Sequence, residues 1–248
     1  MIELWAGLIT LTATIVLTLA GVGAAFILIP LYMSLGVEVH TAMSTALLLN
    51  CIAMAFASVN FARERLILWK IAFPILIAAT ILSPLGSYTS QYLPRNILLI
   101  LFVAFLFFAA TMMLFYKPKT TETQKFGGKQ IAVSIVVGAV AGFVGGLLGV
   151  GGGNIIVPAL VWLGIEAKKA SATTSFVVIF SSLSGFLARA SIGQLDVHLL
   201  MFTVVGSIIG AILGSWLLSK KLNNQQVKIS IGVVLYFIAL KMVYDLLH

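Results

Sequence analysis

Uncharged, mostly apolar runs cover nearly the whole chain and are separated by short clusters of charge. Seven runs of 19 to 36 residues contain no Asp, Glu, Lys or Arg: Leu4–Val37, Val39–Ala62, Ile71–Pro94, Asn96–Tyr116, Gln130–Ile165, Ala170–Ala188 and Val197–Ser219. A helix needs roughly 20 apolar residues to cross a bilayer. The pattern therefore predicts an all-α polytopic membrane protein with the lipid bilayer as its partner.

The composition agrees with this prediction. Hydrophobic residues make up 61% of the 248 residues, and only 15 Lys+Arg and 7 Asp+Glu are present, about a third of the charged share of a soluble domain. The net charge of +8 lies in short connections beside apolar runs. Charge in that position indicates membrane topology and not a nucleic-acid interface.

Candidate catalytic chemistry is missing from the sequence. Cys51 is the one cysteine, so no internal disulfide is possible, and the three histidines do not have metal-site spacing. No GxSxG, HExxH or P-loop pattern occurs. We therefore predict no catalytic residue, metal or cofactor, and expect a protein that is not an enzyme.

The two halves of the chain resemble each other at an offset of 128 residues. Gly21-Val22-Gly23 aligns with Gly149-Val150-Gly151, Pro30 with Pro158, and Glu38 with Glu166, among eight identities in the 18 positions from 21 to 38. The polar stretch between the halves contains Pro118 and two glycines. These features predict repeat one at 1–116, a cytoplasmic linker at 117–129 and repeat two at 130–248. Two structural repeats are typical of transporters.

Charge distinguishes parallel from inverted repeats. If every run crosses the membrane once, the 15 Lys and Arg residues divide 9 to 6 between the two sides. If Leu4–Gly36 and Ile131–Gly164 instead fold back at their glycines, 12 lie on one side, and only Arg95, Arg189 and Lys241 lie outside. Short cytoplasmic loops are rich in Lys and Arg, which favours the second arrangement. We predict two inverted repeats with both termini outside, each a broken or re-entrant helical hairpin (4–36 and 131–164) plus three transmembrane helices (about 40–62, 68–90 and 95–116; about 168–190, 196–219 and 226–247).

The glycine clusters at the hairpin tips are the strongest local signal. Glycine costs about 1 kcal/mol relative to alanine inside a helix but suits a chain that reverses direction. Irregular backbone within a bilayer needs protein or a water-filled cavity around it. A half-helix that restarts at Ala24 or Asn154 would present free N–H groups and a positive dipole end, which favours an anion. Glycines that only permit close helix packing are the alternative reading.

The candidate anion site follows from these tips. Its backbone would come from Gly21, Gly23, Gly149, Gly151, Gly152, Gly153 and Asn154, with side-chain contacts from Thr45, Asn50, Thr173, Thr174 and Ser175. Thr45 and Thr173 coincide under the repeat offset, which suggests a site shared by the halves. Hydroxyls that only join membrane helices are the alternative. No charge lies in the middle of a run, so Arg189 is expected to be an interfacial anchor.

The motifs GLLGVGGGNIIVPALVWLGIEAKKASATTSF (146–176) and LARASIGQLD (187–196) resemble the TauE/SafE sulfite exporter family of membrane permeases, and the resemblance extends over essentially the whole chain. The first-half cluster, GVGAA, has fewer glycines. The resemblance implies a bacterial inner-membrane transporter of a small sulfur-containing anion: sulfite, thiosulfate, sulfoacetate or a related organosulfonate. It also implies coupling to protons, for which Asp196 and His198 are candidates.

Two other functions share part of this sequence pattern. A passive anion channel on the same fold would have every feature described above. A membrane enzyme or scaffold subunit would need an intramembrane acid, base or metal cluster, which the sequence lacks. The particular anion, the direction of transport and the oligomeric state are left open at this stage.

Overall fold

A computed structural model of the chain describes residues 2–19, 25, 28–29, 32, 37–115, 128–189 and 197–247. Within those ranges all regular secondary structure is helical, which confirms the all-α prediction. The α-helices are α1 (Ile2–Leu19), α2 (Val39–Arg63), α3 (Trp69–Thr89), α4 (Arg95–Phe115), α5 (Gly128–Leu148), α6 (Gly153–Trp162), α7 (Ala167–Arg189), α8 (Val197–Lys220) and α9 (Asn224–Leu247). Most of the predicted linker, 117–129, lies outside the described residues.

In the part of the chain that the structure describes, six helical segments are long and apolar enough to cross a membrane: Val39–Arg63, Trp69–Tyr92, Gln130–Leu148, Ala167–Arg189, Thr203–Lys220 and Asn224–Tyr244. The chain is therefore a multi-pass membrane protein. Helix α6 has 10 residues and is about 15 Å long, half of the roughly 30 Å hydrocarbon thickness. It is too short to cross alone.

Helix α2 begins at an acidic N-cap. The Glu38 carboxylate accepts hydrogen bonds from the backbone N–H groups of His40 and Thr41, both at 3.0 Å. Burial raises the pKa of the Glu38 carboxyl. The opposite effect is larger and comes from these two hydrogen bonds, the electrostatic effect of His40 and the Thr41 hydroxyl, so the pKa lies below its ordinary value. The charged carboxylate thus stabilises the start of α2.

Glu38→Ala is expected to destabilise the protein by about 1 kcal/mol, the usual cost of an N-cap deletion. Because the folded-state pKa is depressed, this contribution is present above the ordinary glutamate pKa and is lost as the pH falls through the folded-state pKa. Thermal melts of the wild type and the variant should differ at neutral pH and converge in acid. Equal melting temperatures at neutral pH would contradict the capping role.

Two close helix pairs join the halves of the chain. Glycines of α5 lie against α3, with Gly138 opposite Ile75 and Gly142 opposite Ala79. Glycines of α8 lie against α1, with Gly206 opposite Gly7. In both pairs residue numbers rise together, so the paired helices are parallel. Small residues allow backbones to approach this closely.

The two pairs contain one contact that repeats at the sequence offset. A Cβ added at Gly86 of α3 would meet the carbonyl oxygen of Phe143, and a Cβ added at Gly214 of α8 would meet that of Ile15. Each member is 128 residues from its counterpart. Helix α1 of the first half therefore packs on α8 of the second half, and α5 of the second half packs on α3 of the first.

The remaining contacts fix the direction of the other helices. Antiparallel packing joins α2 and α7, through Leu47 against Gly185 and Asn50 against Ser182. Antiparallel packing also joins α4 and α9, where Leu114 lies against Gly232 and Thr111 contacts Tyr236. Helices α2 and α8 are parallel, since Asn60 bonds Ser215 and Glu64 pairs with Lys220.

Candidate functional site

The second glycine cluster breaks the helix where the sequence predicts a reversal. Gly149, Gly151 and Gly152 have φ angles of 72°, 76° and 77°, in the left-handed region that L residues with a side chain rarely adopt. The N–H groups of Val150 and Gly151 donate to the carbonyl oxygen of Gly145, at 2.8 and 3.3 Å. The chain then reverses, and α6 packs back on α5.

This glycine turn, Gly149–Gly152, lies at the middle of the helix bundle. Asn50, near the centre of the 25-residue α2, directs its Nδ2 to the carbonyl oxygen of Val150 at 3.5 Å and to the Oγ of Ser182 at 3.1 Å. The Ser181 hydroxyl donates to the carbonyl oxygen of Gly151 at 2.8 Å. Helices α2 and α7 therefore hold the turn at mid-depth.

Neighbouring atoms leave no room for side chains on the turn. A Cβ at Gly149 would meet the side chain of Met43 on α2, and one at Gly152 would meet the carbonyl oxygen of Ala141 on α5. Gly145 is equally restricted, because the backbone nitrogen of Gly152 lies against it. Glycine is thus required here by both backbone conformation and packing.

The start of α6 lies in the protein interior, directly after the glycine turn. Gly152 is the N-cap residue, and its carbonyl oxygen accepts from Ile155 and Ile156 at 3.1 and 3.3 Å. The first N–H groups of a helix, here those of Gly153 and Asn154, have no acceptor within the helix and carry partial positive charge. Asn154 is buried, and its Oδ1 has no hydrogen-bond partner among the described residues.

The four predicted hydroxyl residues are all buried, with different partners. Thr45 donates to the carbonyl oxygen of Thr41 and Ser175 to that of Ser171, both at 2.9 Å, as hydroxyls commonly do inside a helix. Thr173 accepts from the N–H of Leu68 at 3.0 Å, at the start of α3. Thr174 alone of the four has a hydroxyl without a partner among the described residues.

Thr45 and Thr173 do not come together. Leu47 lies against Gly185 in the antiparallel α2–α7 pair. By the same register, Thr45 faces a position on α7 that is about 14 residues beyond Thr173. At 1.5 Å per residue they are about 20 Å apart along the helix axes. Of the predicted side chains, Asn50 is the one bonded to the glycine turn.

Sequence reasoning missed the role of Arg189. This residue was expected at the membrane interface, but its side chain is 1% exposed. Its Nη2 donates to the carbonyl oxygens of Gly146 and Leu147, the latter at 3.1 Å. These carbonyls belong to the last turn of α5, a helix end that attracts cations, and the carbonyl oxygen of Gly146 also accepts from the N–H of Gly149 at 3.2 Å. The long-range contact of Arg189 with this helix end explains its burial.

Several other predictions fall outside what can be described. Gly21, Gly23 and Asp196 are not among the described residues, and His198 is described only as the second residue of α8. In the described part of the chain, no three His, Cys, Asp or Glu side chains form a group that could hold a metal ion.

Comparison with known proteins shows the family to which the chain belongs. The sequence model of the family described as "Sulfite exporter TauE/SafE" matches residues 6–242. The chain belongs to this family, and several of its relatives are named probable membrane transporter proteins. No solved structure matches the chain significantly.

Among its relatives is the probable membrane transporter protein YunE of Bacillus subtilis, 24% identical over 92% of each chain. A probable membrane transporter protein of Methanocaldococcus jannaschii, MJ0441, is 24% identical over 88% of this chain and 86% of that protein. The Arabidopsis thaliana sulfite exporter TauE/SafE family protein 1 is 29% identical over 44% of this chain and 25% of its own length.

Proposed function

We propose that the protein is a secondary transporter, and not an enzyme, that moves a small sulfur-containing anion across the bacterial inner membrane by alternating access. The observation that carries this proposal is the glycine turn, which places the start of α6 beside the middle of α2. Half-helices that begin near the bilayer midplane bind anionic groups in other secondary transporters. The family name supplies sulfite, and we extend the proposed substrate class to thiosulfate and organosulfonates, which are small sulfur-containing anions of the same kind.

We further infer that the two halves are inverted repeats. The parallel and antiparallel contacts, taken with the short connections from α2 to α3 and from α3 to α4, give α1, α2 and α4 one direction and α5, α7 and α9 the opposite one. Helices α3 and α8, which begin 128 residues apart, are also opposed. This arrangement supports placing the start of α1 and the end of α9 on the same face.

The distribution of charge supports an outside location for both termini. One end of the bundle has the lysines and arginines Arg63, Arg65, Lys70, Lys129, Lys168, Lys169, Lys220, Lys221 and Lys228 at helix ends or connections. The other end has Arg95, Arg189 and Lys241. Since the end rich in Lys and Arg faces the cytoplasm, we assign the termini to the outer face.

A thermal-shift screen of the purified protein tests the substrate class. Sulfite, thiosulfate, sulfoacetate, sulfate and lactate would be compared at one ionic strength, with chloride as the reference. A ligand at 100 times its dissociation constant stabilises the folded state by about 2.7 kcal/mol. We expect sulfite, thiosulfate or sulfoacetate to raise the melting temperature above the values in chloride and in sulfate, because sulfate stabilises folded proteins without a binding site. Equal melting temperatures throughout would contradict the proposal.

A passive anion channel with the same fold is the second candidate, because it would use the same glycine turn. Transport coupled to protons or to a counter-substrate separates the two. We expect an opposing gradient of unlabelled anion to accelerate uptake of labelled anion, as a carrier requires. Uptake that is indifferent to that gradient and to pH would favour the channel.

A further inference from the structure

We propose that Arg189 binds the transported anion directly, as a fixed positive charge beside the glycine turn. The inference rests on the proposed function and extends it, because the site predicted from the sequence contains only neutral groups. It is carried by the burial of the guanidinium, by its unused hydrogen-bond donors and by its position at the end of α5.

The first argument is the cost of a buried, unneutralised charge. Arg189 is 1% exposed, and no ion pair joins it to an acidic side chain in the described part of the chain. The Glu38 carboxylate attracts it electrostatically, but that carboxylate is exposed and caps α2. An arginine keeps its proton in proteins, and a buried charge is expensive unless it is paired. An oxyanion would supply the missing negative charge.

The second argument is the number of free donors. The Nη2 atom contacts the carbonyl oxygens of Gly146 and Leu147, which fixes the orientation of the guanidinium plane. Its Nε and Nη1 atoms are buried and have no partner among the described residues. Three N–H groups are therefore available, and hydrogen bonds from arginine to an oxyanion are among the strong ones.

The third argument is location. Gly146 and Leu147 immediately precede the glycine turn, so the guanidinium is anchored to the same backbone segment that leads into α6. Along α7, Arg189 is seven residues beyond Ser182, which lies beside the turn, or about 10 Å. The anion would therefore be held on the outer side of the turn, between the guanidinium and the start of α6.

Arg189 could alternatively act only as a C-terminal cap for α5, and Ser87 provides the matched control. The Ser87 hydroxyl also donates to the carbonyl oxygen of Gly146, at 3.2 Å, without carrying charge. Ser87→Ala removes a cap from the same carbonyl, whereas Arg189→Gln removes the cap and the charge. A purely structural role would lower the melting temperature in both variants and leave the anion-induced shift intact in both.

The test is a sulfite titration followed by thermal shift, with the wild type, Arg189→Gln and Ser87→Ala compared at constant ionic strength. We expect sulfite to bind at least about 10-fold more weakly to Arg189→Gln, given the usual strength of a hydrogen bond to a charged group, and with unchanged affinity to Ser87→Ala. Equal sulfite affinity in Arg189→Gln and the wild type would overturn the inference and leave the proposed function standing. Failure of every sulfur anion to bind the wild type would overturn both.

Arg189→Gln could fail to fold, so a second measurement uses the native side chain. The chain has four arginines, and ¹⁵N-arginine labelling gives one Nε–H NMR signal for each. Single lysine substitutions at Arg63, Arg65 and Arg95 assign the Arg189 signal by elimination. Sulfite should shift that signal at the concentrations that raise the melting temperature; a signal that does not move at saturating sulfite would overturn the inference.

Discussion

Gly152→Leu is expected to abolish sulfite flux in reconstituted liposomes while leaving membrane insertion intact. Gly152 has a φ of 77°, and a Cβ at this position would overlap the carbonyl oxygen of Ala141. The substituted turn cannot keep its conformation, so the start of α6 would move away from Asn50. The long apolar spans lie elsewhere in the chain, which is why insertion should survive.

Gly128→Leu is the matched control for this prediction. Gly128 begins α5, and a Cβ built there meets no atom of the described residues within 4 Å. Both variants would be reconstituted at equal protein density, and their initial rates of labelled sulfite uptake compared with those of the wild type. Wild-type flux in Gly152→Leu would refute the assignment of the anion site to the glycine turn.

Gly142→Leu is expected to destabilise the folded protein by at least about 3 kcal/mol, the upper part of the usual range for overpacking. Gly142 is on the face of α5 that contacts α3, and a Cβ there would meet the backbone of Ala79. The neighbouring atoms are backbone atoms of a helix, so they cannot rotate away. The cost therefore requires separation of the two helices.

Val140→Leu provides the comparison within the same helix. Val140 is 49% exposed and lies on the outer face of α5, where a larger apolar side chain meets lipid. Unfolding in a denaturant series should show a large loss for Gly142→Leu and almost none for Val140→Leu. Similar stability of the two variants would mean that α3 and α5 are not packed as closely as described.

The sequence predicted the helical class and the chain reversal because both depend on local properties. Long apolar runs indicate spanning helices wherever they occur. A cluster such as Gly149–Gly152 indicates a reversal because positive φ is a property of glycine itself. Neither inference needs to know which helices are neighbours.

The candidate site was harder to predict because it depends on helix register. Thr45 and Thr173 occupy matching positions in the two repeats. Because α2 and α7 pack antiparallel, however, two matching residues lie at equal distances on opposite sides of the centre of this helix pair. On α2, Met43 and Asn50 both reach the turn, whereas Thr173 lies beside the start of α3. Arg189 was missed because its burial depends on carbonyl groups 42 and 43 residues earlier in the chain.

Counterflow of labelled sulfite into proteoliposomes tests the transporter most directly. Liposomes with purified protein would be loaded with unlabelled sulfite and diluted into labelled sulfite, with protein-free liposomes as the control. A carrier with one internal anion site predicts saturable uptake that transiently exceeds equilibrium and requires internal sulfite. Uptake no greater than in protein-free liposomes, or uptake that is linear with concentration and independent of internal sulfite, would contradict it.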